Sequence, residues 1–445
     1  MKIAVYNADA NGPGSDYTFH YIFRPLRADE WDRIAAEYPD HEFRVFYVPP
    51  CGMVIDDEGD GAKVTPKRVS YEPISIEASV EEFAQKVADW KPDVAIAMTP
   101  PSLPYDWNNM RDALVGDELK SLGVNTIAHD GYMGYVTCDK PQTTRHLKAA
   151  GFNCADSIHI NSWLFSCHKR EAAVGKNTYR EHKLARIKKM TYPIVIKNTV
   201  SAGSLGLSIA DTYEEAKRIL SDYEGDSDLV VEQWISGDSF GIEIMGVPGA
   251  YTVYAPILFS VTDDGVTDPF TSFKMGPVTN PEFKVDKLKA EMVRMAESIG
   301  LYGAAEVDLI FHEGEWYIVE INSRMSYLTA ATSSMNGKGL FDDYISLAVN
   351  KKVDSVTPKY IMDFKTPNLS EDMVETLWKE CPILKSIMNT YRKDSIDMCE
   401  FVAGGCDTGA ELVSELKKMR ERFPDIVSER VIDMAEKMVR KVSGE

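Results

Sequence analysis

From Leu301 to Ser334 the chain sets apolar residues at alternate positions in two short runs. Val307, Leu309 and Phe311 form one, Trp316 and Ile318 the other, and Glu313-Gly314 lies between them as a turn. That period predicts a hairpin with one buried face. Asp308 falls inside the first strand, and Glu320 and Asn322 stand two apart on the second, so both share a face. The first 136 residues instead alternate strands with helices. Strands are predicted over 3–6, 43–48, 94–98 and 126–128. A helix to about Trp90 opens with the capping box Ser79/Glu82, and a second helix covers about 110–122. This order predicts a parallel sheet with helices on both faces. Residues 51–75, polar and turn-rich, read as a surface insertion.

A helix is predicted from Asp139-Lys140 to Ala150, stopping at Gly151, and a strand over 154–161. Residues 170–189 are helix-prone. Tyr192–Lys197 reads as a strand that runs into the small-residue stretch NTVSAGSLGLS. Thr212 and Glu215 cap a helix to about Asp222, and a strand covers 229–235. Residues 240–245 and 251–259 read as adjacent antiparallel strands. The helix 285–299 carries Leu288, Met292, Met295 and Ile299 on one stripe. Beyond about Lys352, helices are predicted over 371–391 and 410–422, with a strand over 397–402 and a turn-rich link over 403–409.

Charge narrows the function classes. The formal net charge is -20 with a pI near 4.9, which argues against nucleic acid or an anionic membrane as the main partner. A local cluster of lysines and a metal still suits an anionic cofactor. The seven cysteines show no CxxC spacing, fitting reduced thiols in a cytoplasm better than a disulfide or zinc framework. No apolar run of about 18 residues and no signal-peptide pattern is seen.

Several residues carry candidate chemistry. Asp308, Glu320 and Asn322 are oxygen ligands of the kind that suit Mg2+ or Mn2+, with substrate phosphates completing the shell. Lys140 at a helix start is unfavourable to the macrodipole, and tolerable if its ammonium faces a phosphate. Lys197 ends a strand just before a loop whose small residues let backbone N–H groups approach phosphates. The GxxxxGK[ST] pattern is absent. Each motif alone also reads as an ordinary surface lysine, hairpin loop or solvent-face acid.

Taken in order, Asp139-Lys140, PIVIK with its small-residue loop, VVEQWISG, and Asp308 with Glu320-x-Asn322 resemble the ATP-grasp superfamily over roughly residues 90–350. PIVIKNTVSAGSLGLS and VEQWISG look like D-alanine–D-alanine ligase. GAAEVDLIF and VEINSR look like biotin carboxylase and carbamoyl phosphate synthetase, which share E-x-N-x-R. The resemblance implies an α/β and α+β multidomain fold. Residues 1–136 form the N-terminal parallel α/β domain and 137–355 the two-part ATP-grasp domain, with a mobile lid over about 152–235. Residues 356–445 are a small C-terminal α+β appendage.

For the site, the resemblance implies that Lys140 and Lys197 contact ATP phosphates and that Ser201, Ala202, Gly203 and Ser204 close over them. Glu232, Gln233, Trp234 and Ile235 line the adenine pocket, Glu232 accepting from the amino group. Lys274 is a third phosphate ligand, and Asp308, Glu320 and Asn322 bind Mg2+. Two departures stand out. The ribose carboxylate of D-alanine ligases falls at Ser239, with Asp238 or Glu243 as substitutes. The arginine that precedes their first metal acid is Glu306 here, and Arg324 is the replacement cation. The expected activity is an ADP-forming carboxylate–amine ligase acting through an acyl phosphate on amino acids or similar small metabolites. A carboxylase-type enzyme using carboxyphosphate and a non-catalytic nucleotide-binding scaffold are the alternatives. The expected partners are ATP, a small carboxylate and a small amine, with neither nucleic acid nor membrane, and a homodimer among the open assemblies.

Overall fold

The computed structural model describes residues 1–8, 19–56, 64–101, 108–166, 176–201, 206–225, 227–262, 265–268, 271–392 and 398–444. The N-terminal part is a five-stranded sheet in the order Ser70–Pro73, Glu42–Tyr47, Lys2–Asn7, Val94–Ala97, Thr126–Ile127. Every pairing in it is parallel, as the strand–helix alternation predicts. Both faces are covered because the strands are apolar on both sides. Ile3, Val5, Phe43 and Val45 pack on Trp31 and Ile34 of the helix Arg27–Glu37. Ala4, Tyr6 and Phe46 pack on Phe83 and Val87 of the helix Val80–Asp89 and on Leu119 of Asn108–Ser121. The capping box forms, with Ser79 Oγ accepting from Glu82 N at 3.1 Å and Glu82 Oε2 accepting from Ser79 N at 2.9 Å.

The described residues of 51–75, namely 51–56 and 64–75, do not form the expected surface insertion. Cys51, Val54, Ile55, Val69 and Ile74 are buried, and Ser70–Pro73 is the edge strand of the sheet. The apolar positions are scattered there, so no period shows, yet these five reach the core individually; Val54 O accepts from Trp31 Nε1 at 2.9 Å.

The second sheet is four-stranded and antiparallel, in the order Ser157–Ile160, Leu229–Gln233, Ile194–Asn198, Ser208–Ala210. The helices Thr178–Ile187 and Tyr213–Asp222 back it with Leu184, Ile187, Ala216 and Leu220.

The third sheet is ten-stranded. From the predicted hairpin it runs through Asp238–Val247, Ile257–Phe259 and Lys274–Gly276 to the C-terminal strands Tyr360–Pro367, Met398–Cys406 and Leu384–Arg392. It ends on Phe19–Arg24 from the first hundred residues. The C-terminal region is α+β, and its strands extend the central sheet directly: Lys274 pairs with Asp363 across the ladder. The helix expected over 371–391 is shorter, Glu371–Glu380, and Leu384–Arg392 is a strand. Pro382 cannot continue a helix, and Ile387, Thr390 and Tyr391 favour an extended chain. The link expected over 403–409 is instead strand as far as Cys406. Among the described residues no helix is long and apolar enough to cross a membrane.

The hairpin itself forms as predicted, Gly303–His312 and Glu315–Asn322. Its turn places Glu313 and Gly314 at φ 48° and 82°, the double left-handed geometry that matches strand twist. Val307, Leu309, Phe311, Trp316 and Ile318 are buried against Leu288, Met292 and Met295 of the helix Val285–Ile299. This burial holds the opposite, acid-bearing face towards the cleft.

Candidate active site

A cavity of about 330 Å³ opens between the four-stranded sheet and the acid-bearing face of the central sheet. Its walls include Lys140, Lys197, Ser201, Glu232, Gln233, Trp234, Ile235, Ser239, Lys274, Asp308, Glu320, Asn322 and Arg324. The cavity thus gathers every proposed site residue except Ala202, Gly203 and Ser204, which lie outside the described residues.

The hairpin register sets the acids. Asp308 pairs with Glu320 and Glu306 with Asn322, and a bulge follows between Asp308 and Leu309. Bulges redirect side chains locally; here two carboxylates meet across the ladder. Burial pushes the Asp308 carboxyl well up, and the neighbouring Glu306 and Glu320 push it further. Glu306 is also raised, again chiefly by burial, with Arg324 pulling the other way. Burial raises Glu320 too, but Lys140 and Lys197 outweigh it and hold that carboxyl below its ordinary value.

The cations arrive from other elements. Lys140 starts the helix Lys140–Ala149, capped by Asp139. Its ammonium lies 2.7 Å from Glu320 Oε1 and donates to Ser201 O at 2.7 Å, so it ties the hairpin to the start of the small-residue loop. Lys197 and Glu232 are diagonal neighbours on paired strands, with Nζ and Oε2 2.7 Å apart. Burial works against the Lys197 charge, but Glu232, Glu320 and Asp308 outweigh it and raise its pKa. Glu232 therefore borders the cavity with its carboxylate engaged by Lys197.

Arg324 lies just past the end of the strand. It donates to Asn322 Oδ1 at 3.0 Å and to Met325 O at 3.0 Å. Asn322 Nδ2 donates to Glu306 Oε2 at 2.8 Å and reaches Asp308 Oδ2 at 3.5 Å. Ser239 Oγ lies 3.1 Å from Thr267 Oγ1, and both residues border the cavity. The substitutes do not border it: Asp238 pairs with Lys441 at 2.9 Å, and Glu243 is buried beneath the helix Thr329–Met335, accepting from Thr329 Oγ1 at 2.5 Å. Thr267, Ser272 and Glu400 border the cavity without having been singled out in the sequence. They come from irregular segments and a distant strand, where no motif marks them.

The donor set fits a hard divalent cation. Glu306, Asp308 and Glu320 meet on the cavity wall beside Lys140, Lys197 and Arg324, and Asp308 is pushed towards its neutral form first by burial and then by its two acidic neighbours. Among the described residues no group of three His, Cys, Asp or Glu side chains forms a ready cage. That agrees with an ion held by one or two carboxylates plus substrate phosphates. Asn322 turns its oxygen to Arg324 and its nitrogen to the acids, so ligation by its oxygen needs the amide to rotate.

The cleft thus lies between a small antiparallel sheet and a larger one and carries both lysines and acids on its walls. Residues 137–327 match a family model described as an ATP-grasp domain. A carbamoyl-phosphate synthase of Methanobrevibacter smithii is 26% identical over 153 residues, 33% of this chain and 41% of that protein. A D-alanine–D-alanine ligase of Syntrophotalea carbinolica is 28% identical over 165 residues, 35% of this chain and 52% of that one. The chain thus spans about half or less of these relatives' lengths. Among solved structures, the ADP complex of an N5-carboxyaminoimidazole ribonucleotide synthetase aligns with a TM-score of 0.64. It is 14% identical and covers 94% of this chain and 96% of that one. At that identity the likeness speaks for the fold alone.

Proposed function

We propose that the protein is an ADP-forming carboxylate–amine ligase that works through an acyl phosphate on amino acids or similar small metabolites. The observation that carries this reading is the gathering of Lys140, Lys197, Asp308, Glu320, Asn322 and Arg324 on one cavity. The γ-phosphoryl group passes from ATP to a carboxylate oxygen of the acid, and ADP leaves. The amine nitrogen then attacks the acyl carbon, inorganic phosphate leaves, and the nitrogen gives up its proton. Such chemistry asks for positioning and charge neutralisation more than for a side-chain base.

In this reading Lys140 and Lys197 exchange their carboxylate partners for phosphate oxygens, and Ser239 and Thr267 meet the ribose hydroxyls. Asp308, Glu320 and Asn322 hold the divalent ion, whose contribution is to neutralise phosphate charge. Arg324 presents a planar fork to the acyl-phosphate oxygens or the substrate carboxylate. The unit 152–235 acts as the lid that excludes water while the intermediate exists. The test is ADP release over a matrix of acids, amines and bicarbonate, with mass detection of products. ADP release requiring both an acid and an amine supports the ligase. Release on bicarbonate alone points to carboxyphosphate chemistry, and no release in any well points to a nucleotide-binding scaffold; either result overturns the proposal.

A further inference from the structure

Lys274 is held by residues that lie far from it in sequence. Its ammonium sits 2.7 Å from Asp363 Oδ2 and 2.8 Å from Glu400 Oε1, on the strands Tyr360–Pro367 and Met398–Cys406. Lys274 pairs with Asp363 and Lys365 with Glu400 across the ladders, so all four side chains share the cavity-side face of the sheet. Lys365 closes the quartet at 3.0 Å from Glu400 and 3.3 Å from Asp363, and spends its third donor on Ser272 O at 3.1 Å. Burial opposes the Lys274 charge, but Asp363 and Glu400 outweigh it and raise its pKa. The ammonium is therefore held charged at the cavity wall.

Two donors remain at that wall. An ammonium has three N–H groups; Lys274 gives one to Asp363 and one to Glu400, and the third is left. Two residues before it in the chain, Ser272 is 3% exposed and borders the same cavity, and its hydroxyl has no hydrogen-bond partner among the described residues. Buried hydroxyls are nearly always paired, and an orphan at a cavity wall asks for a ligand. A buried quartet of charges is also a costly way merely to join strands, since apolar residues of similar volume often do as well.

We propose that the C-terminal strands complete the candidate active site: Asp363 and Glu400 are positioning residues for Lys274, whose remaining N–H forms an oxyanion subsite with the Ser272 hydroxyl. The inference rests on the reading of the cavity as the site of ATP and a carboxylate. The oxyanion is a phosphate oxygen of the nucleotide or a carboxylate oxygen of the acid.

Ser272→Ala is the cleanest test, because it removes only an unpartnered hydroxyl and leaves the quartet intact; Glu400→Gln, of nearly equal shape, tests the positioning. Affinities for ADP and for AMP-PNP, each with Mg2+, are measured by calorimetry, with melting temperature and ADP release on pooled amino acids. If a phosphate oxygen docks there, Ser272→Ala weakens AMP-PNP about tenfold and leaves ADP within about twofold. If a carboxylate docks there, both nucleotides bind as in the wild type, and KM for the amino acid pool rises about tenfold with kcat little changed. In either case Glu400→Gln moves the same constant in the same direction. Unchanged AMP-PNP affinity together with unchanged or absent response to the pool overturns the subsite. A Glu400→Gln protein that melts lower with every ligand constant intact reduces the quartet to a brace and overturns the positioning role. Wild-type protein that binds neither nucleotide overturns the ligase reading first, and this inference with it.

Discussion

Glu320→Gln separates a site residue from a fold residue. The substitution keeps volume and removes one negative charge from a side chain 2.7 Å from the Lys140 ammonium. A hydrogen bond to a charged group is worth roughly 1.5–3 kcal/mol net, which sets the upper end of the stability loss. An opposing gain comes from Asp308, whose carboxyl is pushed up partly by Glu320 and is relieved when that charge goes. The two effects leave a net stability change of about 1–2 kcal/mol at neutral pH, a few degrees in melting temperature for a chain of this size. The catalytic loss is larger. Weakening the hold on an ion that neutralises the transferring phosphate costs on the order of 10²–10³ in kcat, the scale of losing one preorganised electrostatic contact. The assay is ADP release with Mg2+ varied from limiting to saturating, beside a melting curve of the same sample. The expected result is a fall in kcat of at least a hundredfold with folding intact, and a higher Mg2+ requirement. Near-normal turnover at limiting Mg2+ refutes the reasoning, as does a loss of turnover that merely follows loss of folded protein.

Arg324→Lys should lower kcat strongly with little change in ATP affinity, because a lysine cannot reproduce the fork that reaches Asn322 and the acyl-phosphate oxygens; a silent kcat with a lower melting temperature would show a brace. Glu243 is buried and its carboxyl is pushed up to about 7 from its ordinary 4.5, chiefly by desolvation, against the hydrogen bond from Thr329 that pulls it down. A raised carboxyl pKa means the unfolded chain ionises first, so stability falls as pH rises from about 4.5 and the loss is complete above about 7. At one pKa unit per 1.36 kcal/mol this is on the order of 3 kcal/mol. Melting curves from pH 5 to 8 should show that slope in the wild type and a flatter one in Glu243→Gln; parallel slopes would count against it.

Local pattern is legible in this chain wherever one element carries its own instructions. The alternation over 303–322 dictates the hairpin, and its period of two puts Glu320 and Asn322 on one face; the bulge after Asp308 then turns that face to the side of Asp308. The capping residues Ser79, Asp139 and Thr212 each start a helix where expected, because a cap is satisfied by backbone within three residues. The order of Lys140, Lys197, Glu232 and the hairpin acids pointed to a shared cleft, and the cavity brings them together.

Pairing between distant segments was not legible. The strands Tyr360–Pro367, Leu384–Arg392 and Phe19–Arg24 carry little period of their own and become strands by joining the central sheet. Glu232 shows no partner in the sequence, and the register that sets it diagonal to Lys197 supplies one 2.7 Å away. Ser239 finds Thr267, 28 residues on, through a chain excursion that no period describes. Glu400 reaches Lys274 across 126 residues. Hydrophobic periodicity records which side of an element is buried. The partner that buries it, and the charges that meet there, are settled by strand order, which only the closed tertiary structure contains.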